Sequence, residues 1–321
     1  MNPTLPDLAV EFASTAEKAI VAAGGTELAR RAEVDDRVRT TEVAQLLVGL
    51  GLDDLDPRTD PDTAAAAAEL CRVAGRYALP YPVAAAVLRD GSGRPLAVDG
   101  DGHRVDHANL FPEWRLAGLG QSAVTVHPVG HRMGTKLGPF VGALEPATAS
   151  AGDGPATVDD LDVALHLTLG AWRILGAVER AIDLAVAHVR DRHQFGQALA
   201  QFQAVQFQLA DAAVGADGLR ELARFTLWRV LSEPSARRVD PLALRLHAID
   251  VARTALRTCQ QLFGAAGLCD EYDVSILVRH IQPELRLPFG AEQTASRLFD
   301  AVARDGFDAL FAQGGRPAVG S

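Results

Sequence analysis

Residues 192–196 read Arg-His-Gln-Phe-Gly, with Phe202-Gln203 shortly after. The segment interrupts a long helical pattern. Before it, Leu161, Leu165, Trp172, Leu175, Val178, Ile182, Ala185 and Val189 recur at helical spacing and make the wide apolar stripe of a bundle helix. Thr157-Val158-Asp159-Asp160 offers a capping-box variant at its start. Beyond the interruption, a second helix is predicted over 202–231, stopped by Pro234. A third opens at Asp240-Pro241, read as a cap with proline in the first helical position, and closes at Gly264; a fourth spans 291–311 before Gly314-Gly315. Four long antiparallel helices are expected in the C-terminal part, 157–314.

Working toward the N-terminus, the texture changes twice. Between residues 89 and 156, Gly91, Gly93, Gly100 and Gly102 mark turns, and the runs 96–98 and 122–126 favour strands, so a small β region is expected, with a linker at 149–155. It is too short to be the main core. Residues 1–88 read as helices punctuated by Pro57, Pro61, Pro80 and Pro82, with Asp62 as a cap for the run through Leu70, Val73 and Ala74, and a break at the Leu79-Pro80-Tyr81-Pro82 elbow.

Composition narrows the partners. A chain of 321 residues, 48% hydrophobic, can bury a large core, while a net charge of −10 and a pI near 5.4 speak against gripping nucleic acid or an anionic membrane. Any phosphate must then be met by local arginines, since Lys18 and Lys136 are the only lysines. Cys71, Cys259 and Cys269 show no C-x-x-C spacing, as expected of buried thiols in a reducing compartment. No uninterrupted run of about 20 apolar residues and no cleavable leader are visible, and a cytoplasmic location is expected. His103 with His107, and His127 with His131, are spaced four apart, but in a β-like or loop region where that spacing does not share a helical face, so no metal site is expected.

On spacing alone, the segment at 192–196 is either a helix-to-helix turn with an exposed arginine or a ligand-facing loop. The chemistry of Arg192 suits phosphate, because a guanidinium is always charged and presents a planar fork to phosphate oxygens. Further residues recur around it: Gly176 and Arg180 upstream, then Gln261-Leu262-Phe263-Gly264-Ala265-Ala266-Gly267, Glu271-Tyr272 and Arg279 downstream.

Over about 163–298 this constellation resembles the acyl-CoA dehydrogenase family, whose C-terminal bundle carries R-x-Q-F-G, a phenylalanine-glutamine pair, and a later glutamine and glycine-rich turn at these intervals. The resemblance implies a mainly α fold in three parts: an N-terminal helical domain (1–88), a reduced middle β domain (89–156) and a C-terminal four-helix bundle (157–314). It implies FAD as cofactor, met across a subunit interface by Arg192, Gln194, Phe195, Gln203, Gln261 and Gly264. Arg192 would meet the pyrophosphate; Gln194 and Gln203 would hydrogen-bond without adding charge; Phe195 would shield the cofactor from water.

The same resemblance exposes a gap. The family places its catalytic glutamate either before a glycine in the loop preceding the last helix or near the start of the first bundle helix. Those positions hold Phe289 and His166 here. The family's T-E-P and G-S-D strings, which line the flavin ring, have no counterpart between 89 and 155. A base contributes typically 10²- to 10⁴-fold, so its absence removes the proton-transfer step. Shortness and missing motifs resemble the small subunits of bacterial heteromeric acyl-CoA dehydrogenases acting on bulky thioesters, notably steroid side chains. The expectation is a non-catalytic subunit, with no catalytic residue of its own, that completes the FAD site of a full-length acyl-CoA dehydrogenase partner in an α2β2 tetramer. Two readings stay open beside it: a self-sufficient homo-oligomer whose base is His166 or a displaced Glu292, Glu284 or Asp162, and a scaffold subunit without flavin.

Overall fold

The computed structural model describes residues 5–130, 137–146 and 160–306. The proposed start of the first bundle helix at 157–159, the linker at 149–155, His131 and everything beyond 306 lie outside these residues. Helices α1 (Asp7–Ala22), α2 (Glu27–Val34), α3 (Ala44–Gly49), α4 (Pro61–Arg76) and α5 (Val83–Ala86) come first. The cap of α4 is Asp60 and not Asp62: its side chain accepts from the amides of Asp62 and Thr63, and Pro61 takes the first helical position, where no N–H is needed.

Five short strands follow: β1 (Leu96–Val98), β2 (Arg104–Val105), β3 (Trp114–Ala117), β4 (Val124–Val129) and β5 (Gly142–Pro146), in the order β1-β3-β4-β5-β2. Only the β1–β3 pair is parallel. Trp114, Leu116, Val126 and Leu144 give the sheet a small core of its own, and Trp114 satisfies its indole N–H on the Ala108 carbonyl. Then come α6 (Asp160–Asp191), a hairpin of β6 (His193–Gln194) and β7 (Gln197–Ala198), and α7 (Gln203–Ser232), α8 (Val239–Leu262), α9 (Asp273–His280), α10 (Gln282–Arg286) and α11 (Ala291–Asp305).

Two details depart from the helical periodicity. Asp240 does not cap α8, which begins at Val239; its buried carboxylate instead accepts from Arg229 Nε at 2.9 Å, because that guanidinium, buried in the last turns of α7, requires a counter-ion. Two short helices, α9 and α10, stand between the third and fourth long ones. Helix α6 also has the length and hydropathy to cross a bilayer, with mean hydropathy 1.3 in its most apolar 18-residue window, yet 89% of that window is buried inside the protein. Its apolar surface is spent on the core.

That core is organised by a backbone-to-backbone crossing. A side chain at Gly176 of α6 would overlap the carbonyl of Arg72 on α4, and one at Gly75 of α4 would overlap the carbonyl of Arg173 on α6. Beside the crossing, the buried Glu179 carboxylate accepts from Arg72 (2.8 Å) and Arg76 (3.3 Å) of α4 and from Arg220 (3.1 Å) of α7, locking three helices together.

The β region is fastened to the helices by polar groups as well as by packing. Arg39, buried just before α3, reaches His107 Nδ1 (3.3 Å) and donates to Asn109 (3.0 Å), while His107 stacks on Phe140 with centroids 4.9 Å apart. Gly100 lies so close to the Pro288 carbonyl that any side chain there would clash. Next to this joint, Asp106 is pushed up to about 7 by burial, with Glu284 adding to the effect and Arg173, the His107 amide and Arg39 opposing it.

Two predictions follow from this geometry. Gly176→Ala forces α4 and α6 apart and should cost roughly 1–3 kcal/mol or more, whereas Gly218→Ala, in α7 with open space around it, should gain up to about 1 kcal/mol; denaturation of both variants checks the contrast. For Asp106 the folded state holds a proton that the unfolded chain releases near 3.8, so stability falls as pH rises from about 4 through 7. Asp106→Asn should therefore be more stable than wild type at pH 8, with the gap closing below pH 4, measured by denaturation midpoints across that range.

Candidate functional site

Helix α6 ends at Asp191 and the chain turns through a two-residue hairpin. Phe195 (φ 55°) and Gly196 (φ 84°) occupy its tip, both left-handed, as a type I′ turn between paired strands requires. For glycine this is free; for phenylalanine it is strained, and the ring is 89% exposed, touched edge-on by Phe202 at 6.2 Å. A large apolar ring is thus presented to solvent on a strained backbone. The connection between α6 and α7 is a short β-hairpin with Phe195 exposed at its tip.

Arg192 stands at the base of this hairpin. Its amide continues the helix to His188 and its carbonyl accepts from Leu199, so the backbone is fixed on both sides. Its guanidinium is exposed and, among the described residues, has no carboxylate partner. Most other arginines do, including Arg72, Arg76, Arg220 and Arg279. A cation held in place and left unpaired in an acidic protein is available to an external anion. Gln194 lies on the hairpin and Gln203 opens α7, both exposed.

The other two expected residues sit at the end of α8. Gln261 is exposed in its last turn; Gly264 adopts φ 61° just past the helix, a left-handed stop that favours glycine on conformational grounds alone. Helices α6, α7 and α8 run up, down and up. The end of α6, the start of α7 and the end of α8 therefore lie at one end of the bundle, and His188 stacked on Phe263 at 4.1 Å joins the first to the last. All six residues read from the sequence share that end.

The second region of interest lies between the β region and the bundle. A cavity of about 50 Å³ is bounded there by Pro82, Val98, Asp106, His166, Glu284 and Pro288, among others. Drug-sized ligands occupy pockets of roughly 300–1,000 Å³, so this space is far too small for a flavin ring or a thioester. His166 contributes a buried Nδ1 without a hydrogen-bond partner, and burial, reinforced by Arg245, pushes it down to about 4. It is a neutral, weakly basic imidazole. Of the alternative carboxylates, Asp162 is engaged by Arg115 (2.7 Å) and Arg58, Glu284 faces Arg173 (3.6 Å), and Glu292 is exposed in the first turn of α11.

Phe289 is buried at 2% exposure, its ring faced by Arg297 at 4.5 Å and Arg245 at 5.4 Å. Buried Arg245 donates to the carbonyls of Leu287 and Phe289, both at 2.7 Å, and fixes the loop before α11. This arginine and its partner Arg297 were not singled out from the sequence. The available signal was a cation on the core-facing stripe of α8, between Leu242 and Ile249. Of the other histidines noted in the sequence, His107 is buried against Phe140, and His127 meets the Pro112 carbonyl.

The chain is similar to known proteins in sequence and in fold. Residues 168–298 match the acyl-CoA dehydrogenase C-terminal domain family. The probable acyl-CoA dehydrogenase FadE25 of Mycobacterium tuberculosis is 35% identical over 113 residues, covering 35% of this chain and 28% of the relative; the probable acyl-CoA dehydrogenase YngJ of Bacillus subtilis is 31% identical over 106 residues, 33% and 27% respectively. The match thus spans little more than a quarter of these relatives. Among solved structures, the ChsE4–ChsE5 complex from Mycobacterium tuberculosis superposes with a TM-score of 0.76 at 17% identity, covering 94% of this chain and 99% of that one. A Tcur3481–Tcur3483 steroid ACAD variant gives 0.77 at 18%, over 94% and 99%. Butyryl-CoA dehydrogenase from Megasphaera elsdenii gives 0.69 at 17%, over 95% and 100%. Residues 168–298 are therefore similar to the acyl-CoA dehydrogenase C-terminal domain family, and the chain as a whole has the acyl-CoA dehydrogenase fold.

Proposed function

We propose that this chain is the non-catalytic subunit of a heteromeric, FAD-dependent acyl-CoA dehydrogenase, completing the FAD site of a full-length partner that performs α,β-dehydrogenation of a bulky CoA thioester. The observation that carries the reading is a contrast within one chain. Where the family has a glutamate, Phe289 is buried and faced by two guanidiniums, whereas the dinucleotide-facing end keeps Arg192 unpaired and Phe195 exposed.

The bundle end fits half of a FAD site. Arg192 would hold the pyrophosphate with charge-assisted hydrogen bonds, Gln194, Gln203 and Gln261 would orient the cofactor through neutral ones, and Phe195 would exclude water. When bound, FAD supplies the acceptor for the hydride leaving the thioester's β-carbon. Proton abstraction from the α-carbon falls to the partner, because His166 is a weak base walled into a cavity of about 50 Å³. Val214 (71% exposed), Phe207 and Trp228, seven and fourteen residues apart along α7, leave an apolar face that a partner subunit would cover. The fold likeness to the ChsE4–ChsE5 complex and to a steroid ACAD supports a two-chain assembly and a steroid thioester; within the proposal the assembly is α2β2 and the thioester that of a steroid side chain.

Coexpression with a full-length acyl-CoA dehydrogenase from a neighbouring gene tests the proposal. The complex should be yellow and active, and this chain alone colourless; a yellow, active homomer overturns it. Within the complex, Arg192→Ala should weaken FAD retention by about tenfold or more, as expected for losing a charge-assisted hydrogen bond. His166→Ala should leave turnover within about twofold, since a base would be worth at least a hundredfold.

A further inference from the structure

Downstream of Gly264 the chain forms a short 3-10 turn (Gly264–Leu268) and enters α9 at Asp273. This stretch carries the glycine turn at the dinucleotide-facing end, yet its own ties are few. Ala265, Leu268, Cys269 and Asp270 are exposed, and the local bonds are Gln260 Nε2 donating to the Gly267 carbonyl, the Cys269 thiol to the Ala265 carbonyl at 3.5 Å, and a few amides closing on neighbouring carbonyls. Packing contributes the buried Gly267, Ala266 against the core and the edge-on contact of Tyr272 with Phe263. Such a segment would drift without outside support.

The support comes from the other end of the sequence. Helix α2 sends Arg30 to the Asp270 carbonyl (Nε, 2.9 Å) and to Asp273 (Nη2, 2.8 Å). Three residues on, Glu33 accepts from Arg279 Nε (2.9 Å) and Nη2 (3.1 Å) and lies 2.6 Å from His280 Nε2. Arg279 spends its remaining nitrogen on Asp270, 2.6 Å away. Arg180 of α6 approaches Asp273 at 3.8 Å. Burial would raise the Glu33 carboxyl, but the bonds from His280 and Arg279 hold it down to about 2, so the carboxylate is ionised throughout the working pH range. Thus Arg180 and Arg279, noted in the sequence for their spacing, serve an ion network and are not free to meet a ligand.

We infer that Glu33 is a positioning residue for the cofactor: through Arg279 and His280 it fixes the segment 264–273, and with it the approach of Gly264 and Gln261 to the dinucleotide. This rests on the reading of the bundle end as a FAD half-site. Helix α2 is eight residues long and buries Leu28, Ala29 and Ala32, while Arg30 is directed at Asp270 and Asp273 and Glu33 at Arg279 and His280 at the end of α9, of which Arg279 in turn holds Asp270. The N-terminal helices thereby act as a strut for a site built from residues some 240 positions later.

The test uses the coexpressed complex, stripped of flavin and titrated with FAD. Glu33→Ala should raise the FAD dissociation constant about tenfold, the order expected when a supporting hydrogen-bond shell is lost, while the heteromer still assembles and the KM for the thioester is unchanged. Glu33→Gln should recover most of the affinity, because an amide oxygen still accepts from Arg279. If Glu33→Ala fails to assemble, Arg30→Gln decides, since it removes the bonds to Asp270 and Asp273 and leaves Glu33 in place; the same direction of change is expected. Unchanged FAD affinity in these variants, with Arg192→Ala weakening it, overturns the strut alone. Unchanged affinity in all of them overturns the half-site reading and the strut together.

Discussion

Burial of helix α6 is the constraint on which the molecule depends. Over its first two thirds the helix is enclosed by α4, α7 and α8 and the β region, and it can be enclosed because Gly176 and Gly75 allow two backbones to touch. An enclosed helix cannot carry unpaired polar groups cheaply. The charged side chains it buries are accordingly answered, Arg173 by the carbonyls of Leu79 and Tyr81, Glu179 by three guanidiniums and Asp162 by Arg115, whereas the neutral His166 Nδ1 and Trp172 Nε1 have no hydrogen-bond partner among the described residues. The ion network is a consequence of the crossing and not an independent source of stability.

The same helix has an opposite character at its far end. Where α6 leaves the core, its residues no longer need partners within the chain, and Arg192 has none among the described carboxylates. A closed interior at one end and an open, cationic, aromatic surface at the other are therefore two results of one packing arrangement. The region near His166 is closed by Asp106, Glu284, Pro288 and the loop that Arg245 grips. Chemistry that needs space and a competent base has no room there, while the bundle end leaves Arg192 and Phe195 exposed.

Much of this was legible in the residues. The stripe from Leu161 to Val189 announced a buried helix, and the glycines after 89 announced short strands, because periodicity and turn chemistry act locally. Phe289 and His166 could be placed opposite the family's acid positions by counting. What counting could not reach was the surroundings of those residues. Phe289 could have been a lone replacement in an otherwise intact pocket; the guanidiniums of Arg245 and Arg297 that face it come from different helices. Local rules also erred where long-range needs prevailed. Asp240 has the form of a helix cap, but the buried Arg229 claims its carboxylate.

By itself, then, the sequence determined the long helices and the strand region, since these depend on side-chain type and spacing along one chain. Only the tertiary structure decided which arginines were free. Arg180, Arg279 and Arg192 look alike in sequence, and two of them are neutralised by carboxylates from remote elements, Asp273, Glu33 and Asp270, brought close by folding. Charge pairing acts across a few ångströms of space, and distance in space is what the linear order of residues leaves open.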